Sequence, residues 1–212
     1  MKIQYALSLV LILIAFTVGI YFYEELPDRM PSHWNAEGEV DAYTEKNLGI
    51  FLLPIISLFL LGLFVLIPKI DPLKKNIEKF RSYYDWFILL MVLFFVYIYF
   101  ATLAWGLGYQ FSMTVAIIPP IALLFFFAGT LCEKSKRNWF IGVRTPWTLS
   151  SDIVWEKTNN LAGKLFKVLA VILLIGVLFP AEFFFYLVVL IIVVALVPIV
   201  YSYFEYQKQM KP

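Results

Sequence analysis

The chain alternates between long apolar runs and shorter polar segments. A helix needs about 20 apolar residues to cross a hydrocarbon layer about 30 Å thick, and several runs approach or exceed that length. The pattern therefore predicts an all-α integral membrane protein with six transmembrane helices. The predicted spans are Ile3–Tyr23, Gly49–Ile67, Asp85–Trp105, Phe111–Leu131, Leu165–Phe179 and Phe183–Phe204.

The ends of two runs refine this prediction. The first run is longer than the ~7 to 15 apolar residues of a signal peptide and lacks a small-residue cleavage site, so it is predicted to be an uncleaved first helix. The fifth run is short when it is counted from its apolar residues alone. Ser150 or Ser151 followed by Asp152 has the pattern of a helix N-cap, and a helix that begins there would pass through Trp155 into the fifth span.

Prolines mark three further positions. Pro119-Pro120 lies near the middle of the fourth span, where the missing N–H group and the ring clash predict a kink. That kink would be either a packing bend or a hinge at a broken-helix binding site of the transporter kind. Pro198 predicts a second kink, and Pro180-Ala181-Glu182 predicts a tight turn between the last two spans.

Basic residues set the orientation of the spans. With six spans in this order, 15 of the 17 Lys and Arg residues lie on one side of the membrane, and only Arg29 and Lys46 lie on the other. Short cytoplasmic loops carry an excess of basic residues. Both termini are therefore predicted to be cytoplasmic. Residues 24–48, here called the first polar segment, are predicted to form one ordered extracellular loop.

Composition excludes several classes of protein. With 62% hydrophobic residues, 15% charged residues and a mean hydropathy of +0.82, the chain lies outside the range of soluble globular proteins. A net charge of +2 is too small to indicate direct binding of nucleic acid. The one cysteine, Cys132, excludes an intramolecular disulfide and a thiolate metal cluster. We interpret it as a small apolar residue at a helix end.

The first polar segment has the residues of an ordered, acidic loop. Pro27 and Pro31 restrict the backbone, and Asn35, Gly38 and Asp41 favour turns. Residues 24–46 contain seven carboxylates and two basic side chains. That excess of negative charge would attract a cationic peptide or a metal ion.

His33 is the only histidine in the chain. We interpret it as a side chain that is hydrogen-bonded within the loop, and the alternatives are a ligand of a divalent cation beside neighbouring carboxylates or a catalytic base. The common zinc sites use two or more His or Cys ligands, and a catalytic base needs a nucleophile beside it. The sequence shows neither pattern, so we predict no metal site, no cofactor and no enzymatic activity.

Aromatic residues cluster near the predicted ends of the spans. Because Trp and Tyr favour both headgroup levels of a membrane, we interpret these residues as an interfacial belt, with ligand stacking as the alternative. They are Trp34, Tyr43, Trp105 and Tyr109 on the predicted outer side, and Tyr83, Tyr84 and Trp86 on the inner side.

The interiors of the spans carry few ionisable groups. Proton-coupled and ion-coupled transporters usually hold a carboxylate, histidine or arginine in mid-membrane, and none is evident here. The interiors offer mostly hydroxyl groups, which are suited to hydrogen bonds between helices. These belong to Thr17, Ser57, Thr102 and Thr114.

Residues 136–159 form the longest dense polar and aromatic stretch in the second half of the chain. They lie in the predicted cytoplasmic loop at residues 132–163, here called the central segment. Arg137 and Arg144 bracket Trp139, and Trp147 follows closely, so we expect guanidinium groups to stack on indole rings. Two roles remain open from the residues alone. The segment either seals the cytoplasmic face of the helices or binds a partner.

Two stretches resemble signatures of the SdpI-type bacterial immunity proteins. They are LPDRMPSHWNAEGEVDAYTEK at residues 26–46 and NWFIGVRTPWTLSSDIVWEKTN at residues 138–159. Both lie in the order and between the spans that the family uses. The family's pattern commonly continues with a histidine and a basic residue after the threonine that matches Thr158, whereas this chain has Asn159-Asn160.

The resemblance implies a multi-spanning plasma-membrane protein that protects a cell from a secreted toxic peptide. In the best-known members, the liganded protein also holds a cytoplasmic repressor at the membrane. Together with Trp34, the residues expected to bind the peptide are Pro27, Pro31, His33, Asn35, Gly38, Asp41 and Lys46. Together with Arg137, the residues expected to contact the cytoplasmic partner are Asn138, Gly142, Arg144, Thr145, Pro146, Trp147, Asp152 and Trp155.

We therefore interpret the chain as an immunity or sensor protein whose partners are a secreted toxic peptide, a transcriptional repressor and membrane lipid. Residues 1–67 are predicted to hold the first two spans with the first polar segment, and residues 68–212 to hold the other four with the central segment. One alternative is a small transporter or lipid-handling protein with a polar cavity lined by Ser57, Thr102 and Thr114. Another is a membrane enzyme that uses His33 and Asp41 as acid and base.

Overall fold

A computed structural model describes residues 2–179 and 183–210. The described chain contains eight α-helices and one two-stranded sheet. In chain order the elements are α1 (Ile3–Tyr21), β1 (Arg29–Trp34), β2 (Val40–Glu45), α2 (Lys46–Ile70), α3 (Lys74–Glu78), α4 (Arg81–Gly106), α5 (Met113–Lys134), α6 (Pro146–Ser150), α7 (Asp152–Gly176) and α8 (Phe183–Met210).

Six of these helices are long and apolar enough to cross a membrane, which confirms the predicted number of spans. They are α1, α2, α4, α5, α7 and α8. Many of their large apolar side chains are exposed, as expected for surfaces that face lipid tails. The predicted tight turn at Pro180-Ala181-Glu182 lies outside the described residues.

The fifth span begins at Asp152, as the N-cap pattern predicts. The Ser151 hydroxyl accepts a hydrogen bond from the Val154 N–H group at 3.3 Å, which satisfies one of the N–H groups left unpaired at a helix start. The Asp152 carboxylate lies in the first turn, where the helix dipole favours negative charge. Local capping chemistry therefore extends this helix well beyond its apolar run.

The proline pair does not interrupt the fourth span. Helix α5 continues from Met113 to Lys134 with Pro119 and Pro120 inside it, and α8 likewise continues through Pro198. The kinks at these prolines stay predictions.

Hydroxyl groups in the spans bond mainly to their own helices, which differs from the expectation of bonds between helices. Ser57 donates to the Leu53 carbonyl oxygen at 2.7 Å, and Thr102 donates to the Ile98 carbonyl oxygen at 2.9 Å. Such bonds to the preceding turn satisfy a hydroxyl that has no water nearby. Two of the three hydroxyls that would line a transporter cavity are thus already used within their helices.

Contacts divide the described chain into two compact units. One holds the described residues up to Phe64 together with Ile88–Ile121. In this unit the buried Met30 packs beside two glycines, Gly49 and Gly106, and so fixes β1 against the neighbouring helix ends. The predicted division at residues 67 and 68 stays a prediction.

The other unit holds Val65–Phe87 and the described residues from Ala122 onward. Its α5 and α7 approach closely at Gly129 and Gly163, where a Cβ atom on Gly163 would lie 2.6 Å from the Gly129 carbonyl oxygen. One turn away, Lys167 forms an ion pair with Glu133 at 2.6 Å. Small residues permit close packing of membrane helices, and the ion pair adds a polar tie between the same two helices.

Candidate functional site: the first polar segment and the central segment

The first polar segment folds as an antiparallel β-hairpin, which the all-α prediction missed. Strand β1 pairs with β2 from Arg29 opposite Glu45 to Trp34 opposite Val40, with irregular register near His33. Gly38, at φ +84°, supplies the left-handed conformation in the turn between the strands. The segment is therefore ordered, as its turn residues predict, and its order comes from strand pairing.

His33 and Asp41 form an exposed pair on this hairpin. The His33 Nδ1 atom lies 2.6 Å from the Asp41 Oδ1 atom, and the two side chains are 67% and 45% exposed. This contact confirms that the histidine is hydrogen-bonded within the loop. Among the described residues, no group of three or more His, Cys, Asp or Glu side chains is arranged to hold a metal ion.

Lys46 ties the end of the hairpin to its start. Its backbone N–H group donates to the Asp28 carbonyl oxygen at 2.9 Å, and its ammonium group lies 3.6 Å from the Asp28 carboxylate. The same ammonium group lies 5.1 Å from the centre of the Tyr23 ring.

Of the two prolines proposed to bind peptide, Pro31 is buried and Pro27 is exposed.

The hairpin turn rests on the start of α5. The Asn35 side-chain oxygen accepts a hydrogen bond from the Glu39 N–H group at 2.8 Å, and the Asn35 carbonyl oxygen accepts one from the Thr114 hydroxyl at 3.3 Å. A Cβ atom on Gly38 would lie 2.5 Å from the Ser112 hydroxyl oxygen. Asn35 and Gly38, both expected to contact peptide, therefore shape and position the turn.

An open cleft of about 460 Å³ lies beside this turn. It combines acidic, aromatic and small polar residues, and nearby Trp34 packs edge-on against Trp105 with ring centres 6.3 Å apart. The sequence did not indicate this cleft, because it forms only when the hairpin meets the connection between α4 and α5. Its lining residues are Glu37, Gly38, Glu39, Val40, Tyr43, Trp105, Gln110, Phe111 and Ser112.

Asn138 organises the start of the central segment. Its side chain is fully buried, and its Oδ1 atom accepts hydrogen bonds from the N–H groups of Phe140 at 2.9 Å and Ile141 at 2.6 Å. Its Nδ2 group donates to the carbonyl oxygens of Lys136 and Ile141. This side chain holds a tight turn and is not accessible to a partner.

Gly142 and Asn159 pack closely against each other in the next part of the central segment. Gly142 has φ +106°, and a Cβ atom there would lie 2.6 Å from the Asn159 Oδ1 atom. The buried Asn159 accepts a hydrogen bond from the Val143 N–H group at 2.8 Å and donates to the Trp155 carbonyl oxygen at 3.1 Å. The asparagine at the position where the family pattern commonly has histidine therefore fixes the fold of the segment.

The two arginines of the segment make polar contacts where stacking on indole rings was expected. The Arg137 guanidinium lies 2.8 Å from the Asp152 carboxylate and donates to the Leu149 carbonyl oxygen at 2.9 Å. Arg144 donates to the Trp139 carbonyl oxygen at 2.7 Å. Carbonyl and carboxylate oxygens inside the segment bind these guanidinium groups more specifically than a ring face does.

A residue directly after α2 and a residue of α3 also hold this segment, which the sequence did not indicate. The buried Asp71 accepts a hydrogen bond from the Trp139 N–H group at 2.9 Å, and Asn76 donates to the Arg137 carbonyl oxygen at 2.8 Å. These partners lie more than 60 residues apart in sequence. A single sequence carries no signal that would have paired them.

The end of α8 packs on the central segment through side chains. The Thr145 hydroxyl lies 3.0 Å from the Ser202 hydroxyl, and the Trp147 ring packs edge-on against Tyr203. Thr145 and Thr148 also complete a capping box at the start of α6, with Pro146 in its first turn. Thr145 and Trp147 are thus engaged within the protein.

Charged and polar side chains form further contacts between the end of α8 and the central segment. Lys157 forms an ion pair with the buried carboxylate of Glu205, and Lys208 lies 3.3 Å from that carboxylate. Ser151 donates to the Gln209 side chain at 2.9 Å.

Trp155 is buried and its ring N–H group donates to the Ser135 carbonyl oxygen at 3.3 Å. Most of the residues proposed to bind a partner instead hold this segment together, and the exposed ones are Arg144, Pro146 and Asp152.

Comparisons with known proteins agree with the two signatures. The model of the SdpI/YfhL protein family matches residues 134–202, and that of a domain of unknown function (DUF1648) matches residues 10–58. Over 204 residues the chain is 26% identical to the protein named Immunity protein SdpI of Bacillus subtilis (strain 168), and the match covers 96% of each chain. The resemblance to the SdpI-type family is confirmed. No solved structure matches the chain.

The matched regions coincide with the two segments described above. The SdpI/YfhL region contains α6, α7 and α8 as far as Ser202, and the other region contains the hairpin. With six apolar spans and this similarity, the chain is a multi-pass plasma-membrane protein.

Proposed function

We propose that this chain is an integral membrane immunity protein that protects its cell against a secreted, membrane-active toxic peptide. The observation that carries the proposal is the match over 96% of both chains to a protein named for immunity. That match spans both the hairpin and the central segment, so the two proteins are similar along nearly their whole length.

The hairpin faces the outside in this proposal, and both termini are cytoplasmic. The bias of basic residues supports this orientation, since 15 of the 17 would then lie on the cytoplasmic side. An exposed acidic hairpin at the outer surface would meet a secreted peptide before the peptide enters the lipid. Binding there would be enough for protection, because a sequestered peptide cannot act on the membrane.

Signalling to a cytoplasmic repressor would need a further property. The peptide would have to bind one conformation of the protein more tightly than another, because equal affinity for both shifts no population. The exposed Arg144, Pro146 and Asp152 would offer the contact surface for the repressor. The buried members of the central segment would keep that surface in place.

The proposal is tested by exposing a sensitive bacterial host to the secreted peptide of the producing strain. We expect the wild type to restore growth, and a His33→Ala/Asp41→Ala variant to lose about tenfold or more of the tolerated peptide concentration, as expected when hydrogen-bonding side chains are removed from a binding surface. An Arg144→Ala/Pro146→Ala variant, altered only at exposed residues of the central segment, is expected to protect like the wild type. Membrane levels of all variants are measured in parallel.

Failure of the wild type to protect, at a normal membrane level, would contradict the immunity proposal. Equal protection by the hairpin variant would contradict the role of the His33 and Asp41 pair.

A further inference from the structure

We propose that the cleft beside the hairpin turn binds a basic side chain of an extended peptide. This inference rests on the proposed function and names the chemistry of the peptide that the hairpin would recognise. It assigns the contact to the cleft residues, of which only Gly38 belongs to the signature residues expected to bind peptide.

The lining of the cleft has the chemistry of a site for a cation. Glu37 and Glu39 supply two exposed carboxylates, and none of the described residues that line the cleft is basic. Within residues 2–179 and 183–210, neither carboxylate forms an ion pair. Both are therefore available to an ammonium or guanidinium group.

Aromatic rings in the same lining favour a basic side chain over a bare metal ion. Tyr43, Trp105 and Phe111 are aromatic residues of the lining. A Lys or Arg side chain can place its charge against a carboxylate or a ring face while its methylene groups cover apolar surface. Inorganic cations prefer several oxygen ligands, and this lining does not gather three carboxylates.

The cleft also adjoins a strand that can accept another strand. Val40 and Tyr43 lie on β2, which pairs with β1 as its one partner in the described part of the chain. An extended peptide can add to such an edge through main-chain hydrogen bonds, while a pocket beside the edge selects one of its side chains. A volume of about 460 Å³ suits one or two side chains and not a whole peptide.

Contacts within the protein hold the walls of the cleft in place. Gly38 fits closely against Ser112, and the Thr114 hydroxyl binds the Asn35 carbonyl oxygen. A site that is already formed loses less conformational entropy when it binds. The peptide therefore meets a preformed pocket beside the strand edge.

The inference is tested with the full-length protein in nanodiscs of uncharged phosphatidylcholine. The probe is a fluorescently labelled six-residue peptide of alternating leucine and lysine, and its leucine–glutamate counterpart is the comparison. Fluorescence anisotropy measures the Kd after subtraction of binding to empty nanodiscs. The wild type is expected to bind the lysine peptide and not the glutamate peptide.

A Glu37→Gln/Glu39→Gln variant is expected to bind the lysine peptide about tenfold more weakly or worse, because two charged contacts become neutral. The matched control is Glu24→Gln/Glu25→Gln, which removes the same charge from exposed positions outside the cleft lining. Its Kd is expected to stay within about twofold of the wild type, because exposed charges at a distance are largely screened.

If both variants bound the lysine peptide equally weakly, the cleft would not be the binding site. Only a general attraction between the peptide and acidic surface would remain. Unchanged binding in the cleft variant, or no binding by the wild type above the empty nanodisc, would also overturn it. The growth assay separates this inference from the proposed function. If the wild type protects cells but does not bind the lysine peptide, the cleft proposal fails and the immunity proposal does not. If it binds the lysine peptide but does not protect cells, the immunity proposal fails and the cleft proposal does not.

Discussion

Replacing Gly163 with alanine is expected to destabilise the protein by about 2 kcal/mol or more, because an overpacked interface must shift to accept the new methyl group. The added Cβ atom would lie 2.6 Å from the Gly129 carbonyl oxygen and would also meet the Glu133 side chain. Backbone cannot move aside as a flexible side chain does. The two helices would have to separate, and the ion pair between Glu133 and Lys167 would lengthen with them.

Gly62 provides a matched control for this exchange. It also lies inside a transmembrane helix, but a Cβ atom there would meet nothing within 4 Å. Gly62→Ala is expected to stabilise the protein by up to about 1 kcal/mol, because alanine loses less backbone freedom in a helix than glycine does. Unfolding in mixed micelles with increasing dodecyl sulfate, followed by circular dichroism, measures both free energies. The same sign for both variants would contradict the close approach of α5 and α7.

Replacing Asn138 with alanine is expected to cost about 3 kcal/mol. The exchange leaves the N–H groups of Phe140 and Ile141 without the buried oxygen that accepts from them. An unpaired buried donor costs about 1 to 3 kcal/mol, and two are created at once. The carbonyl oxygens of Lys136 and Ile141 also lose a donor.

The control for this prediction is Asn160→Ala, the same exchange at a half-buried residue of α7. The free energy of unfolding of the Asn160→Ala variant is expected to be lower than that of the wild type by less than about 1 kcal/mol, as is usual for a residue that is partly exposed. Hydrogen exchange of the Phe140 and Ile141 amides gives a second measurement, since both should exchange faster in the Asn138 variant alone. A small cost and slow exchange in that variant would contradict the role of Asn138.

Hydropathy predicted the six spans well because crossing a membrane depends on the length and apolarity of a run. Helix ends were harder, since they depend on polar residues beside the run. Ser151 revealed the start of α7 because N-caps act within a few residues of sequence. By contrast, α2 begins at Lys46 and α4 at Arg81, where charged residues precede the apolar run.

The hairpin was missed for a physical reason. Pro31 lacks an N–H group and usually argues against a strand, but a two-stranded hairpin has open edges that tolerate it. The turn residues Asn35 and Gly38 did predict order in this segment. They could not show that residues 29–34 and 40–45 pair, because pairing depends on side chains buried against helix ends, above all Met30.

The candidate site was predictable only in part. The signatures identified both segments, yet most of the residues in the central segment proved to hold it together. Asp71, Asn76 and Glu205 contribute to that framework from distant parts of the sequence. The cleft residues Gln110 and Ser112 belong to neither signature, because tertiary contact alone brings them beside the hairpin turn.

The location of the hairpin outside the cell is the claim on which both the immunity proposal and the cleft depend. Single cysteines introduced at two exposed serines, Ser32→Cys on β1 and Ser150→Cys on α6, test it in a Cys132→Ala background. A membrane-impermeant maleimide is added to intact cells. We expect labelling of the Ser32→Cys variant in intact cells and of the Ser150→Cys variant only after the membrane is permeabilised. Labelling of the Ser150→Cys variant in intact cells, with no labelling of the Ser32→Cys variant, would show that the hairpin does not lie outside the cell.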